Sequence, residues 1–143
     1  MKARVTRLVQ FNAVHRLHNP ALSDVENARL YGKCNHPSGH GHNYVIHVTV
    51  EGDVDPTTGM VINFFELDGI LQREVVDRFH CRSMDECLRE FGGPVSTAEN
   101  IARVIWRVLD GRLGPRRRLH RVAIGETLKN SAEYHGEEIS VGG

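Results

Sequence analysis

The chain has 143 residues, with 18 basic and 18 acidic side chains and a formal net charge of zero at pH 7. This balance excludes the strong field that draws basic proteins to nucleic acid or acidic membranes. No stretch holds the roughly eighteen apolar residues of a membrane span, and the opening MKARVTRLVQF lacks a signal-peptide core. We therefore expect a cytoplasmic protein, folded as one domain over residues 1–143, without nucleic-acid or membrane partners.

Four segments have the composition and alternation of β-strands. In the first half of the chain, period-two alternation predicts strands at 4–11 and 44–52, and DVDPTTG at 53–59 predicts a turn. Near the end, two further strands are predicted at 118–126 and 132–139.

Two helices are predicted between these pairs of strands. Apolar residues recur every three or four positions over 64–79, which is typical of an amphipathic helix. A second helix is predicted from STAEN onward, where Ser96 and Glu99 have capping-box spacing. The order strand, strand, helix, helix, strand, strand favours an α+β fold, in which helices cover a four-stranded antiparallel sheet.

Residues 32–44, GKCNHPSGHGHNY, contain one cysteine and three histidines. His40 and His42 open or precede the second strand, where side chains two apart point to the same side. A third histidine near the end of the first strand would complete a metal site, with His15 the best candidate and His18 the second. Three histidines and one open position are typical of catalytic zinc, although each histidine alone is more often a hydrogen-bonding residue.

Cys34 is separated from His40 by NHPSG, and Pro37 and Gly39 predict a loop there. A loop allows the thiol to face a metal-bound substrate without binding the metal. A nearby divalent cation favours the thiolate, which can then accept a proton. The alternatives are a fourth zinc ligand, which would close the site and make it structural, or a small buried residue.

Five segments together resemble the 6-pyruvoyl-tetrahydropterin synthase family, which includes the bacterial 6-carboxy-tetrahydropterin synthases. They are FNAVHRLHN, GKCNHPSGHGHNY, DPTTGMVINFFEL, VSTAEN and ETLKNSAEY, and they span nearly the whole chain. The resemblance implies the T-fold, in which a four-stranded antiparallel sheet carries two helices on one face. It also implies ring hexamers, built as dimers of trimers, with active sites at subunit interfaces.

The resemblance further implies roles for individual residues. The zinc ligands are three histidines: His15, His40 and His42. Cys34 is the general base, and Glu126 binds the amino-amide edge of the pterin ring, because a carboxylate accepts two parallel hydrogen bonds. Thr97 contacts the ring, although its position at the start of a predicted helix explains it equally well.

The substrate implied by the family is 7,8-dihydroneopterin triphosphate, which loses triphosphate to give 6-pyruvoyl-tetrahydropterin. Zn²⁺ is the cofactor, and no organic cofactor is needed. Five residues separate Cys34 from the HGH motif. This spacing resembles that of the pyruvoyl-type enzymes of tetrahydrobiopterin biosynthesis, whereas the carboxy-type enzymes of the queuosine pathway usually have three.

One segment departs from the family pattern. Members usually carry an Asp-His proton relay in a block such as LDHKNLD, but ungapped alignment from residue 59 places FHCRSMD there, at 79–85. His80 then replaces the aspartate and Cys81 the histidine, while Asp77 or Asp85 could serve in the relay only after a shift in register or a bend of the loop. We expect a lyase that acts on 7,8-dihydroneopterin triphosphate, or on a close pterin relative with a different side-chain cleavage, in which His80 rather than Cys81 carries protons. The alternative is a non-catalytic, zinc-containing pterin-binding protein.

Overall fold

The structure is a computed structural model that describes residues 1–137. Its strands and helices are, in chain order, β1 Lys2–His15, α1 Asp24–Tyr31, β2 His40–Asp53, α2 Phe64–Leu71, α3 Asp77–Phe79, β3 Arg82–Ser83, α4 Met84–Cys87, α5 Ala98–Leu109, β4 Arg117–Gly125 and β5 Ser131–Tyr134. Shorter turns of helix cover Gly32–Asn35, Gln72–Val76 and Leu88–Phe91. None of the helices within 1–137 is long and apolar enough to cross a membrane.

The strands form one sheet in the order β3-β1-β2-β4-β5. The four longer strands pair antiparallel, as the sequence predicts, and the α+β class is confirmed. The two-residue β3 adds a parallel pairing to the outer edge of β1, at Ala13 and Val14. Strand β5 ends at Tyr134, earlier than the predicted 132–139, and residues 138 and 139 lie outside the described part of the chain.

The predicted helix at 64–79 forms over its whole length, from α2 through a π-helical turn at Gln72–Val76 to α3. Four residues of its apolar stripe are buried against the sheet: Leu67, Leu71, Val75 and Phe79. The fifth, Phe64, is 52% exposed and lies outside the core. The helix therefore covers the side of the sheet to which the odd-numbered residues of β1 point.

Helix α5 begins one residue later than its sequence suggests. Thr97 is the N-cap, and its Oγ1 accepts a hydrogen bond from the backbone N–H of Asn100 at 3.3 Å. The capping box predicted at Ser96 and Glu99 is wrong, because Ser96 is buried and bonded elsewhere. The helix covers the sheet with a continuous apolar face: Ile101, Ala102, Val104, Ile105, Val108 and Leu109.

Helix α1 has no counterpart among the predicted elements. Only Asn27 is buried in it, so the segment has no apolar stripe. The sequence indicates this helix only at its start, where Ser23 and Glu26 form a complete capping box. The Asn27 amide bonds the backbone of Asn19, which folds the segment between β1 and this helix back onto it.

Glu51 is the main buried carboxylate on the face of the sheet away from the helices. It is 8% exposed, and it accepts hydrogen bonds from Arg4 Nε at 2.9 Å and Arg118 Nη2 at 2.7 Å. These two hydrogen bonds lower the pKa of Glu51 from 4.5 to about 2, and the bond from Arg4 has the larger effect. The ion pairs join β1 to β4 across the central strand β2.

We expect Glu51→Gln to lower the free energy of unfolding in a pH-dependent way. A carboxyl with a depressed folded pKa stabilises the protein above its ordinary pKa of 4.5, and this contribution is lost as the pH falls toward about 2. Urea unfolding of both proteins across this range should show the gap between them narrowing with acidification. A gap that stays constant with pH would contradict the prediction.

Candidate metal centre and active site

The ends of β1 and β2 bring three histidines together. The antiparallel register pairs His15 with His40 and Ala13 with His42, so all three imidazoles point to the helix side of the sheet. The ring centroids are 4.6 Å apart for His15 and His40, 5.0 Å for His15 and His42, and 4.8 Å for His40 and His42. One nitrogen from each ring lies within 4.8 Å of the others, and no second such cluster of His, Cys, Asp or Glu occurs within residues 1–137.

The hydrogen bonding of His15 suits a metal ligand. The residue is 2% exposed, and Nδ1 lies 2.8 Å from the carbonyl oxygen of Ser96, which can only accept a hydrogen bond. Nδ1 therefore donates, and Nε2 keeps its lone pair. Nε2 is buried without a hydrogen-bond partner among the described residues, and such an atom costs about 1–3 kcal/mol unless something binds it. A metal ion would satisfy this nitrogen.

All three histidines are also biased toward the neutral form that metals bind. Burial is the main cause that lowers the pKa of His15, His40 and His42, and repulsion from a neighbouring imidazole lowers each further. Neutral imidazole is the ligand form, so little proton release is needed on binding. The triad can therefore hold a metal ion, and its donor set suits zinc or a similar transition metal.

Glu126, the predicted pterin-binding residue, lies beside this triad. It follows the last residue of β4, and its Oε1 is 3.9 Å from Nε2 of His15. Burial raises the pKa of Glu126, while the nearby His42 lowers it. Thr97, the predicted ring contact, is placed at the N-cap of α5, next in the chain to Ser96.

Cys34 lies in the helical turn Gly32–Asn35 rather than in an open loop, and it is half-buried. This turn is attached to the segment that follows His15. The backbone N–H of Leu17 donates to the carbonyl of Cys34 at 2.9 Å, and the Asn35 amide donates to the carbonyl of Leu17 at 2.8 Å. The Cys34 thiol does not belong to the histidine cluster.

His18, the second candidate for the third metal ligand, is hydrogen-bonded to Asn35 instead. Its Nδ1 lies 3.0 Å from the side-chain amide of Asn35, which donates to it. It is absent from the cluster formed by the described residues.

His80 and Cys81 lie at the end of α3, exposed, against the edge of β1. The backbone N–H of Asn12 donates to His80 Nδ1 at 3.1 Å, and the N–H of Cys81 donates to the carbonyl of Asn12 at 2.6 Å. Cys81 has a φ of 59°, which is uncommon for a residue with a side chain. Within the described chain, neither residue is hydrogen-bonded to the histidine triad.

Tyr44 is a residue of the site that the sequence analysis did not single out. Its ring lies 5.4 Å from that of His42 and 6.0 Å from that of His15, and its hydroxyl is buried without a described partner. Burial, followed by the charges of Glu126 and Asp85, raises its pKa well above the ordinary value. Tyr44 therefore stays neutral and can donate one hydrogen bond into the site.

Comparisons with known proteins agree with this geometry. The family model for 6-pyruvoyl tetrahydropterin synthase matches residues 4–137. The 6-pyruvoyl tetrahydrobiopterin synthases of Homo sapiens and Poecilia reticulata are each 43% identical to this chain, over 136 and 133 residues. The match to the human protein covers 95% of this chain and 93% of that protein. The match to the fish protein covers 93% of this chain and 90% of that protein.

A solved structure extends the agreement to the fold. The 6-pyruvoyl tetrahydropterin synthase of Caenorhabditis elegans superposes with a TM-score of 0.86 at 38% sequence identity, over 96% of this chain and 97% of that one. The resemblance drawn from the sequence motifs is thus confirmed, together with the T-fold and the lyase class that it implied. The chain belongs to the 6-pyruvoyl tetrahydropterin synthase family.

Proposed function

We propose that this chain is a zinc-dependent lyase that acts on 7,8-dihydroneopterin triphosphate and releases triphosphate to give 6-pyruvoyl-tetrahydropterin or a related pterin. The observation that carries the proposal is the buried Nε2 of His15, which has no described partner and faces two more histidines beside Glu126. Family membership over residues 4–137 supports the same reaction.

In this proposal the metal is held by His15, His40 and His42, which leave one coordination position open. When bound, zinc supplies Lewis acidity to the hydroxyl groups of the substrate side chain. The neighbouring protein groups then orient the substrate and move its protons.

Glu126 orients the pterin ring. Its carboxylate accepts from the ring amide and amino group, and charge-assisted hydrogen bonds of this kind are about twice as strong as neutral ones. The distance of 3.9 Å between Glu126 Oε1 and His15 Nε2 supports a ring position close to the histidines, from which the side chain of the substrate reaches them.

Cys34 is the base in this proposal. The thiolate takes a proton from the substrate side chain, the bond between side-chain carbon and phosphate oxygen breaks, and triphosphate leaves with that electron pair. Hydrogens are then redistributed between the side chain and the ring, so no outside oxidant or reductant is needed. The attachment of the Cys34 turn to Leu17, two residues beyond His15, supports a place near the metal.

A homohexamer built as a dimer of trimers, working in the cytoplasm, completes the proposal. Strand β1 pairs with β3 only near its end, and Asn12 is bonded to His80 and Cys81, so most of its outer edge, over 2–11, is unpaired within the described chain. Leu8 and Val14 on the same strand are 43% and 51% exposed. An edge of this length is a template for another copy. Light scattering coupled to size exclusion measures the number of chains.

The decisive experiment is to incubate zinc-loaded protein with 7,8-dihydroneopterin triphosphate and to measure released triphosphate and the mass of the pterin product. Triphosphate release with a 6-pyruvoyl product supports the proposal in full. Release with a different product supports a lyase with altered chemistry. Tight binding of the pterin without release would favour the non-catalytic alternative.

We expect His80→Ala to slow turnover more than Cys81→Ala does, because a free imidazole exchanges protons nearer neutral pH than a free thiol. General acid–base groups typically contribute about 100- to 10,000-fold, and the loss in His80→Ala should fall toward the lower end because Nδ1 is already bonded to Asn12. Steady-state kinetics of both variants measures this effect.

A double replacement that restores Asp-His at positions 80 and 81 provides the complementary test. If this variant forms the 6-pyruvoyl product where the natural chain forms another, the departure is what redirects the chemistry. Unchanged turnover in both alanine variants, alongside an inactive Cys34→Ala protein, would show that neither residue relays protons.

A further inference from the structure

Asp85 lies in the first turn of α4, and both of its carboxylate oxygens are used within the protein. Oδ1 accepts a hydrogen bond from the Ser96 hydroxyl at 2.6 Å, and Oδ2 accepts from the backbone N–H of Arg16 at 2.8 Å. The sequence places Asp85 near the relay position, but a carboxylate with both oxygens occupied in this way is poorly placed to carry protons. Its contacts point instead to the histidine triad.

Both partners of Asp85 adjoin His15. Ser96 is completely buried, its carbonyl oxygen lies 2.8 Å from His15 Nδ1, and its hydroxyl lies 3.3 Å from the same atom. Arg16 follows His15 in the chain, at the point where β1 ends. The Asp85 carboxylate therefore binds both the backbone N–H that follows His15 and the side chain of Ser96, whose carbonyl orients the His15 ring.

The direction of the hydrogen bond from Ser96 to Asp85 affects the tautomer of His15. The Ser96 hydroxyl donates to Asp85, so its oxygen faces His15 as an acceptor, as does the Ser96 carbonyl. Two acceptors at Nδ1 favour the tautomer with a proton on Nδ1 and a lone pair on Nε2. Without Asp85, the Ser96 hydroxyl is free to turn its proton toward His15, so the Ser96 carbonyl is left as the one fixed acceptor and the preference for a proton on Nδ1 weakens.

We propose that Asp85 is a positioning residue of the metal centre, which acts through Ser96 and the Arg16 amide to hold His15 in its metal-binding tautomer and orientation. The inference rests on the metal site of the proposed function. Support of a metal-binding histidine by a carboxylate is a common arrangement, but the carboxylate usually contacts the imidazole directly, whereas here a serine stands between them. Asp85 and Ser96 also connect α4 and α5 to the end of β1, so the metal site depends on three separate parts of the chain.

The test compares wild type with Asp85→Ala and Asp85→Asn. The control is Asp55→Ala, because Asp55 likewise accepts two hydrogen bonds, here from the backbone N–H groups of Thr57 and Thr58, but lies beyond the opposite end of β2. Zinc affinity is measured by competition with a chromophoric chelator, and the cobalt-substituted proteins are compared by visible absorption. The His15 tautomer in the metal-free proteins is measured by long-range ¹H–¹⁵N NMR.

We expect Asp85→Ala to weaken zinc binding roughly 10- to 100-fold, as is typical when the support of a ligand is lost, with a smaller effect in Asp85→Asn. The cobalt spectrum should change, and the metal-free His15 should show a weaker preference for a proton on Nδ1, because the Ser96 carbonyl remains as an acceptor. Circular dichroism establishes that each variant is folded at the temperature of measurement. If Asp85→Ala does not fold, Asp85→Asn decides by the same measurements.

Zinc affinity and a His15 tautomer equal to those of Asp55→Ala would overturn the inference and leave Asp85 as an ordinary structural residue. The two proposals fail separately. Wild-type protein that binds no zinc contradicts the metal site of the proposed function, whereas the tautomer comparison in metal-free protein still decides the role of Asp85.

Discussion

His40→Ala and His42→Ala should each lose the bound zinc, from about one ion per chain to a small fraction of that after dialysis. The three histidine nitrogens lie within 4.8 Å of one another, and each variant leaves only two of them. Loss of a supporting residue around a zinc ligand typically costs about 10- to 100-fold in affinity, so loss of a ligand should cost more. Metal analysis by mass spectrometry, at equal protein concentration, measures the occupancy.

The matched control is His47→Ala. His47 lies on the same strand as His40 and His42, but in the β1 and β4 registers it pairs with Leu8 and Ala123, far from the triad along the strand. It should retain the wild-type zinc content. Full occupancy in both His40→Ala and His42→Ala would show that these histidines are not the ligands, and the proposed metal chemistry would fail.

The histidine triad is the part of the site that sequence alone predicts best. His40 and His42 are two apart, and a strand places such residues on one face whatever the rest of the fold does. The choice of His15 over His18 depends on where β1 ends, and β1 continues four residues beyond the predicted end at Phe11. Ala13 and His15 keep the buried alternation, so the register carries His15 opposite His40.

The supporting residues cannot be found in the same way. Asp85 and Ser96 come from two helix starts, and Ser96 is 81 positions from His15, so no local periodicity relates them. Ser96 also has an apparent local explanation as a helix cap, which the structure assigns to Thr97 instead. A capping pattern indicates where a helix starts to within a residue or so, but not which of two adjacent hydroxyls faces the site.

The long helices could be predicted from the sequence, whereas the short segments around them could not. The stripe over 64–79 and the apolar face of α5 are periodic and bury large side chains. Helix α1, strand β3 and helix α4 are short or have no apolar stripe. Hydrogen bonds connect them to β1 or to the segment that follows it, such as those between Asn27 and Asn19 and that from Arg16 to Asp85. The relay segment belongs to this second group, which is why its role is harder to predict.

Cys34→Ala should keep its zinc and its ability to bind pterin while losing most turnover. The thiol is outside the histidine cluster, so its removal leaves all three ligands in place. The half-buried turn that carries it is held by backbone and Asn35 contacts, which the substitution does not touch. A general base typically contributes about 100- to 10,000-fold to the rate, and a loss of this size is expected in kcat.

Three measurements on the same protein separate the possible roles of this thiol. Zinc content tests ligation, fluorescence titration with a non-reacting pterin tests binding, and triphosphate release tests catalysis. The matched control is Cys87→Ala, because Cys87 is also half-buried but packs against the core, with its thiol 3.9 Å from the Arg78 carbonyl. Its removal should lower stability somewhat and leave turnover near the wild-type value.

The pattern of losses identifies the function of Cys34. Loss of turnover alone assigns it to the chemical step, as the general base. Loss of zinc together with turnover would make the thiol a fourth ligand, and a closed site with four protein ligands is structural rather than catalytic. Turnover equal to that of Cys87→Ala would remove Cys34 from the mechanism. Of the three predicted proton carriers, His80 and Cys81 would then remain. Asp85 does not replace Cys34 as a proton carrier, because both of its carboxylate oxygens are already bonded to Ser96 and Arg16.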